Sequence, residues 1–132
     1  HGDLYTANIL ISNGEISSLI DWAECGFTSG LRDIATFEAS FIDEYIRFFH
    51  PSRAAEMRQE FRSEIGVTNS DKLELFRFHQ NANILAHIRM GESNQEWKQV
   101  GSLDEIKKHR EKILEEDLPE AKELISNYSS NE

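Results

Sequence analysis

Near residue 34 the hydrophobic pattern of this chain changes period. Before that point, Ile9-Leu10-Ile11 and Ile16 to Ile20 are short, β-branched apolar runs on either side of Asn13-Gly14. Asn-Gly between two such runs is the strongest short hairpin signal, because a two-residue turn needs positive φ at both positions. The pattern predicts two antiparallel strands with Asn13 and Gly14 as the loop. Ser12 then faces Glu15 and Asn8 comes opposite Leu19, two residues before Asp21, so that Asn8 and Asp21 share a face.

From residue 34 the apolar positions recur at helical spacing. Ile34, Phe37, Phe41, Tyr45 and Phe48 are three or four residues apart, and this aromatic stripe is expected to face a core. His50-Pro51 breaks the helix, and Pro51 suits the first turn of the next, which carries Ala54, Met57, Phe61 and Ile65 before Gly66 ends it. Asn69-Ser70 offers caps for a third helix through Leu73, Phe76, Ile84 and Ile88, stopped at Gly91. On that helix His79, Asn83 and His87 follow at four-residue steps along one polar face, which reads as a solvated face or the lining of a ligand groove. The two histidines, eight residues apart, stand about 12 Å from each other along the axis, too far for one zinc ion. Ser102 and Glu105 form a capping box ahead of a last segment with Leu103, Ile106, Ile113 and Leu114 as its apolar stripe. Pro119 is expected to interrupt or restart that segment, and the polar stretch from Ser126 to Glu132 is expected to fray.

Composition narrows the classes. At 132 residues with 39% hydrophobic content, the chain suffices for one domain. No apolar run approaches the roughly 18 residues of a membrane span and no secretory leader precedes the first strand, so a soluble, cytoplasmic protein with no membrane partner is expected. The net charge of −10, from 24 acidic against 14 basic side chains, argues against nucleic acid as a partner and favours a cationic small molecule. The single cysteine, Cys25, cannot form an internal disulfide and is expected to be a passive thiol.

Candidate chemistry gathers at the hairpin. An amide oxygen from Asn8 and a carboxylate from Asp21 at the open end of the strands are oxygen ligands of the kind magnesium prefers, with phosphate oxygens and water completing the shell. Asp3, five residues ahead of Asn8, is left to accept a proton from a substrate hydroxyl. Taken singly, each of these residues is most often a cap or turn residue, and only their joint spacing points to a site. His1 is assigned a structural role, ordering the loop by hydrogen bonding.

These residues, H-x-D-x-x-x-x-N followed by I-D-W, resemble the catalytic loop and metal-binding segment of the aminoglycoside phosphotransferase and choline kinase-like enzymes, distant relatives of protein kinases. The resemblance implies Asp3 as catalytic base, Asn8 and Asp21 as magnesium ligands, and Leu10 and Ile20 as apolar contacts beneath the adenine of ATP or GTP. Gly30-Leu31-Arg32-Asp33-Ile34-Ala35 is similar to the family's stretch ending in D-[IL]-A, which implies that Asp33 opens a helix and braces the catalytic loop. The match is specific over about the first 37 residues. The family's small lobe, with its nucleotide-binding lysine, lies upstream of this histidine, so the chain is expected to be a fragment whose missing N-terminal lobe belongs to the same protein.

The expected fold is mainly α with a small β-hairpin, the C-terminal part of the large lobe of a protein-kinase-like α+β fold. Residues 1–33 form the catalytic loop, hairpin and metal-binding segment, and residues 34–132 a helical subdomain, together one domain. The expected function is ATP- or GTP-dependent phosphoryl transfer to a hydroxyl of a small, cationic substrate such as an aminoglycoside, with magnesium. A non-catalytic helical interaction module keeping a kinase-like opening is the alternative. A metal-dependent hydrolase is disfavoured, because Asp3, Asn8 and Asp21 are too few for a two-metal centre.

Overall fold

The computed structural model describes residues 1–27, 30–91 and 101–129. It is mainly helical, with one two-stranded antiparallel sheet. A short 3₁₀ turn, Thr6–Asn8, leads into β1 (Ile9–Ser12), and β2 (Glu15–Leu19) returns beside it. Five α-helical segments follow: α1 (Gly30–Phe37), α2 (Arg47–Phe49), α3 (Pro51–Glu64), α4 (Ser70–Arg89) and α5 (Leu103–Ser129). Between α1 and α2 the chain stays helical but widens to a π-helix over Glu38–Ile46.

The hairpin turn forms as the Asn-Gly signal predicts, with φ of 54° at Asn13 and 81° at Gly14. Ser12 pairs with Glu15 and Ile11 with Ile16, and then the register slips by one: Leu10 pairs with Ser18 and Ile9 with Leu19. Ser17 is the extra residue of a β-bulge, and its hydroxyl donates to the Leu10 carbonyl at 3.1 Å. The expected pairing of Asn8 with Leu19 is therefore corrected. Asn8 lies opposite Ile20, whose N–H donates to the Asn8 carbonyl at 3.0 Å, so strand alternation groups Asn8 with Leu10 and Ile20, and the expected common face of Asn8 and Asp21 is corrected with it.

The helix ends follow their sequence signals. Pro51 occupies the first turn of α3, and Gly66, at φ 67°, closes it in a Schellman arrangement: the Val67 N–H reaches the Arg62 carbonyl and the Gly66 N–H that of Ser63. Asn69 caps α4 by accepting from the Lys72 N–H at 3.0 Å. Ser102 and Glu105 exchange bonds at the start of α5, where the Glu105 N–H donates to Ser102 Oγ and Ser102 N–H to Glu105 Oε2. Two expectations fail in α5. It runs unbroken through Pro119, and it continues to Ser129, so residues 126–129 are helical, while residues 130–132 lie outside the described residues. The lost hydrogen bond at Pro119 falls on a largely exposed stretch of a long helix anchored further back by buried Ile106, Arg110 and Ile113.

The core differs most from its sequence reading. Of the expected aromatic stripe, Phe48 packs against Ile88 and Ile106, while Phe37 and Phe41 are half-buried and Tyr45 is exposed. Ala35, Ala39 and Ile42 are the buried apolar residues of the first helical run, packed with Ala54, Leu73, Leu85, Ile88, Ile106 and Ile113 from the other helices. Phe37, Phe41, Tyr45 and Phe49 instead stack on one another along the flank at centroid separations of 5.0–6.3 Å together with Phe61 of α3, and Tyr45 and Phe49 are exposed. The reason is the company that the alanines keep: Glu38, Asp43 and Glu44 are also buried. In an α-helix, residues five apart point about 140° away from one another. The i→i+5 winding, seen where the Arg47 N–H bonds the Ile42 carbonyl, brings Glu38 over Asp43 and Ala39 over Glu44.

Arginines from three helices meet these carboxylates. Arg62 grips Glu38 with two bonds at 2.7 and 2.6 Å and Glu74 with a third, and Arg58 bonds Asp43. Arg77 of α4 donates to Asp43 and Asp117 at 2.8 Å each and to Glu74. Arg110 of α5, fully buried, bonds Glu44, the Ala39 carbonyl and Asn81. Burial would raise the Asp43 carboxyl, but Arg77 and Arg58 outweigh it and hold it below the usual aspartate value. Glu74 is likewise lowered by Arg77 and Arg62 against its own burial. On α4 the interior polar positions are thus Arg77 and Asn81, whereas His79, Asn83 and His87 lie on the exposed face.

Asp43→Ala is expected to destabilise the protein by up to about 3–5 kcal/mol in urea unfolding, because it leaves Arg58 with only its 3.8 Å approach to Glu38, strips one carboxylate from Arg77, and leaves the Asn81 amide without its acceptor. A loss under about 1 kcal/mol would mean that the ionic core is not closed to solvent. The same titrations repeated against pH check its sign. Asp43 and Glu74 are lowered in the folded state, so their contribution is present above the ordinary carboxyl values of about 3.9–4.3 and fades as pH falls below them.

Candidate functional site

The first helix begins three residues before Asp33, and this carboxylate reaches back over the opening loop. Its Oδ2 accepts from the His1 main-chain nitrogen and its Oδ1 from the Gly2 N–H, each at 2.8 Å. Two parallel N–H bonds to one carboxylate fix both position and direction of the loop. The His1 ring adds a second tie. Nε2 donates to the Ile20 carbonyl at 2.9 Å, which leaves Nδ1 to accept from the Asp3 N–H at 3.4 Å. Trp22 packs against the same ring at 4.5 Å and donates its Nε1–H to the Leu19 carbonyl. The segment His1–Asp3 is thereby bound at once to α1 and to the end of β2.

Gly2 belongs to this arrangement for steric reasons. It sits at φ 88°, and a Cβ there would come 2.1 Å from the Glu24 carbonyl oxygen. The chain after β2 folds across the loop so closely that only glycine fits. Sequence reasoning missed this approach, although a glycine between His1 and Asp3 is the signal that could have found it.

Asp3 is central among the acids. Its main-chain carbonyl accepts from Asn8 Nδ2 at 3.0 Å and from the Tyr5 N–H at 3.1 Å, and the Asn8 N–H bonds the Tyr5 carbonyl. Asn8 is itself buried, and the engagement of its Nδ2 identifies Oδ1 as the atom free to act as a ligand. Burial raises the Asp3 carboxyl above its usual value, and the negative charges of Asp21 and Glu24 raise it further, against the opposing pull of Arg32 and the Asn8 amide. Asp3, Asp21, Glu24 and Arg32 therefore share one electrostatic neighbourhood. Glu24 and Arg32 were not picked out by the sequence reading.

Asp21 follows the ladder directly and holds a left-handed backbone, φ 59°, one of two non-glycine residues with positive φ among the described residues. Such a conformation costs on the order of 1–3 kcal/mol and collects at functional sites. It turns the chain two residues after β2 ends at Leu19. The bulge at Ser17 has a parallel effect on Leu10 and Ile20. Leu10 pairs with Ser18, two residues before Ile20, so strand alternation puts Leu10 and Ile20 on one face of the hairpin, where both are exposed. Without the slip they would point to opposite faces.

The donor set of Asn8 and Asp21, an amide oxygen and a carboxylate with no thiolate or imidazole, fits a hard cation such as magnesium. Among the described residues no group of three or more His, Cys, Asp or Glu is arranged to hold a metal, and a two-ligand site completed by phosphate oxygens is not of that kind. No helix among the described residues is long and apolar enough to cross a membrane. No protein-family model, no curated protein and no solved structure matches the chain.

Two glycine variants separate steric closeness from backbone conformation. Gly14→Ala, at φ 81° with open space around it, is expected to cost about 1 kcal/mol, the ordinary penalty of a left-handed alanine. Gly2→Ala carries the same backbone penalty plus a collision with main chain, and is expected to lower the thermal midpoint by clearly more. Equal shifts in a melting experiment would show that the Glu24 segment does not press on Gly2.

Proposed function

We propose that the chain is the catalytic-loop portion of a small-molecule kinase of the aminoglycoside phosphotransferase and choline kinase-like type. It moves the γ-phosphate of ATP or GTP onto a hydroxyl of a small, cationic substrate such as an aminoglycoside. The observation that carries the reading is the double tie of the opening loop: Asp33 clasps the His1 and Gly2 nitrogens, while the His1 ring bonds the Ile20 carbonyl. Asp3 and Asn8 come from one side of that tie and Asp21 from the other, and the raised Asp3 carboxyl, which feels the Asp21 charge, supports placing base and ligand in one neighbourhood.

In this reading Asp3 accepts the proton of the substrate hydroxyl as its oxygen bonds to the γ-phosphorus, and the bond from that phosphorus to the bridging oxygen breaks to release the nucleoside diphosphate. Asn8 Oδ1 and the Asp21 carboxylate would hold magnesium, which would supply neutralisation of the phosphate charge. Leu10 and Ile20, exposed on one face of the hairpin, are the apolar surface for the base of the nucleotide. The helical body is the C-terminal part of the large lobe of a protein-kinase-like fold, and an N-terminal lobe of the same protein supplies the remaining phosphate contacts. A net charge of −10, with Asp3, Asp21 and Glu24 close together, supports a cationic acceptor.

In the full-length protein, Asp3→Asn is expected to lower turnover about 10²–10⁴-fold with nucleotide affinity kept, the scale of a lost general base. Asp21→Ala should instead weaken binding of magnesium with nucleotide. A coupled assay of nucleoside diphosphate release over a panel of aminoglycosides and choline, with calorimetry for the nucleotide, reads both. Because the Asp3 carboxyl is raised, activity should fall on acidification from a pH above the ordinary aspartate value of about 3.9, as the base becomes protonated. Turnover of Asp3→Asn close to that of the unaltered protein would overturn the role given to Asp3.

A further inference from the structure

The tip of the hairpin carries a reactive pair of its own. Asn13 and Gly14 are the whole connection between β1 and β2, and both are exposed. Neither the Asn13 side-chain amide nor the Gly14 N–H makes a hydrogen bond among the described residues. A Cβ built on Gly14 would meet nothing within 4 Å, so no neighbouring group shields the turn on that side.

An asparagine side chain and the next main-chain nitrogen are the electrophile and the nucleophile of an intramolecular acyl transfer. The Gly14 nitrogen, on losing its proton, attacks Asn13 Cγ. The bond from Cγ to Nδ2 breaks, and ammonia leaves with a proton taken from water. Water then opens the resulting five-membered imide at one of its two carbonyls. Opening at the side-chain carbonyl gives aspartate, and opening at the main-chain carbonyl gives isoaspartate, in which the main chain runs through the former side chain. Water is the only co-reactant.

Two features set Asn13 apart among the described asparagines. Its follower is glycine, which puts no side chain in the way of the attack, whereas Asn8 and Asn83 precede isoleucine. Its amide is also uncommitted. Asn8 Nδ2 is held by the Asp3 carbonyl, Asn69 Oδ1 takes the Lys72 N–H, and Asn81 is bonded to Asp43 and Arg110. The attack requires rotation of the Asn13 main chain, and the ribbon permits it. A sheet of two strands, four and five residues long, with Ile11 and Ile16 exposed, is marginal by itself, and its tip is the end remote from the His1–Ile20 tie.

We propose that Asn13 is a site of spontaneous modification, at which water converts the asparagine to aspartate and isoaspartate, and that the isoaspartate form releases the hairpin. The two products differ in effect. Asp-Gly is itself a favoured two-residue turn, so aspartate keeps the Ser12–Glu15 pair. Isoaspartate lengthens the main chain of that loop by a methylene, which no longer matches the turn that sets the register. The loss runs down the ladder to Leu10 and Ser18. Nothing in this assignment depends on the reaction proposed for the opening loop.

Incubation of the folded protein at mildly alkaline pH, followed by peptide mapping, tests it. Asn13 is expected to exchange its amide nitrogen for oxygen before Asn69, Asn83 or any other asparagine, faster as pH rises because the Gly14 nitrogen must lose its proton. Unfolding in urea should speed the reaction by less than about a hundredfold, because a fraying tip opens far more readily than the whole fold. The isoaspartate fraction, identified by methylation with an isoaspartyl carboxyl methyltransferase and S-adenosylmethionine, should lose hydrogen-exchange protection in β1 and β2 while α3, α4 and α5 keep theirs. Asn13→Asp should keep protection in both strands. Earlier conversion of another asparagine, a folded rate lower than the unfolded one by more than that factor, or isoaspartate with unchanged strand protection would each overturn the proposal.

Discussion

Asp43 is the charge around which the helices are arranged. Fully buried in the middle of a helix, it accepts from Arg58 of α3 and from Arg77 and Asn81 of α4, and its carbonyl takes the His109 ring from α5. An unpaired carboxylate at that depth would cost several kcal/mol, so every helix that packs here must bring a donor. Buried ion pairs of this kind contribute little net stability beyond a well-packed apolar core. What they do contribute is selection: a register shift of any one helix would strand a charge. The π-helical winding of Glu38–Ile46 meets the same demand, because its wider turn brings Glu38 nearer the side of Asp43 and Ala39 nearer that of Glu44 while Ala35, Ala39 and Ile42 still meet the core.

That constraint reaches the opening loop through a single continuous run. From Gly30 to Phe49 the chain is helical without a break, and its first turn carries Asp33. A helix clamped in its middle by four arginines presents the Asp33 carboxylate at a fixed place, and the loop from His1 to Asp3 hangs from it by two short hydrogen bonds. The hairpin has no such support. Its apolar residues Leu10, Ile11, Ile16 and Ile20 are exposed, and a two-stranded ribbon by itself is marginally stable. The His1 ring, bridging to the Ile20 carbonyl, is therefore the tie by which the ordered helical body reaches the end of β2.

Much of the local structure was legible in the sequence, because short-range chemistry decides it. Asn13-Gly14 fixed the turn, Pro51 and Gly66 bounded α3, Asn69 capped α4, and Ser102 with Glu105 opened α5. The failures share a cause. The bulge at Ser17 cannot be seen in an alternation of apolar residues, since one inserted serine leaves the turn signal intact and moves only the far end of the ladder. The inward face of the first helix is legible only in part, because the aromatic period of three and four marks Phe48, which packs on Ile88 and Ile106, but not Glu38, Asp43 and Glu44. The deciding residues were glutamates and aspartates, which go inside only when arginines distant in the chain come to meet them. Pro119, expected to interrupt or restart the last helix, does neither, because its missing N–H falls on an exposed stretch of a helix held by Ile106, Arg110 and Ile113.

The same distance dependence separates what was legible at the candidate site from what was not. Asp3, Asn8, Asp21 and Asp33 stand out by residue type and spacing. Glu24, Arg32 and the close approach to Gly2 depend on how the chain after β2 crosses back over the loop. The slip in register bears on this point. A ladder without the bulge would leave Leu10 and Ile20 on opposite faces, so that no flat apolar surface formed beside Asn8 and Asp21. One extra residue in β2 puts two exposed apolar side chains on the face that Asn8 also occupies.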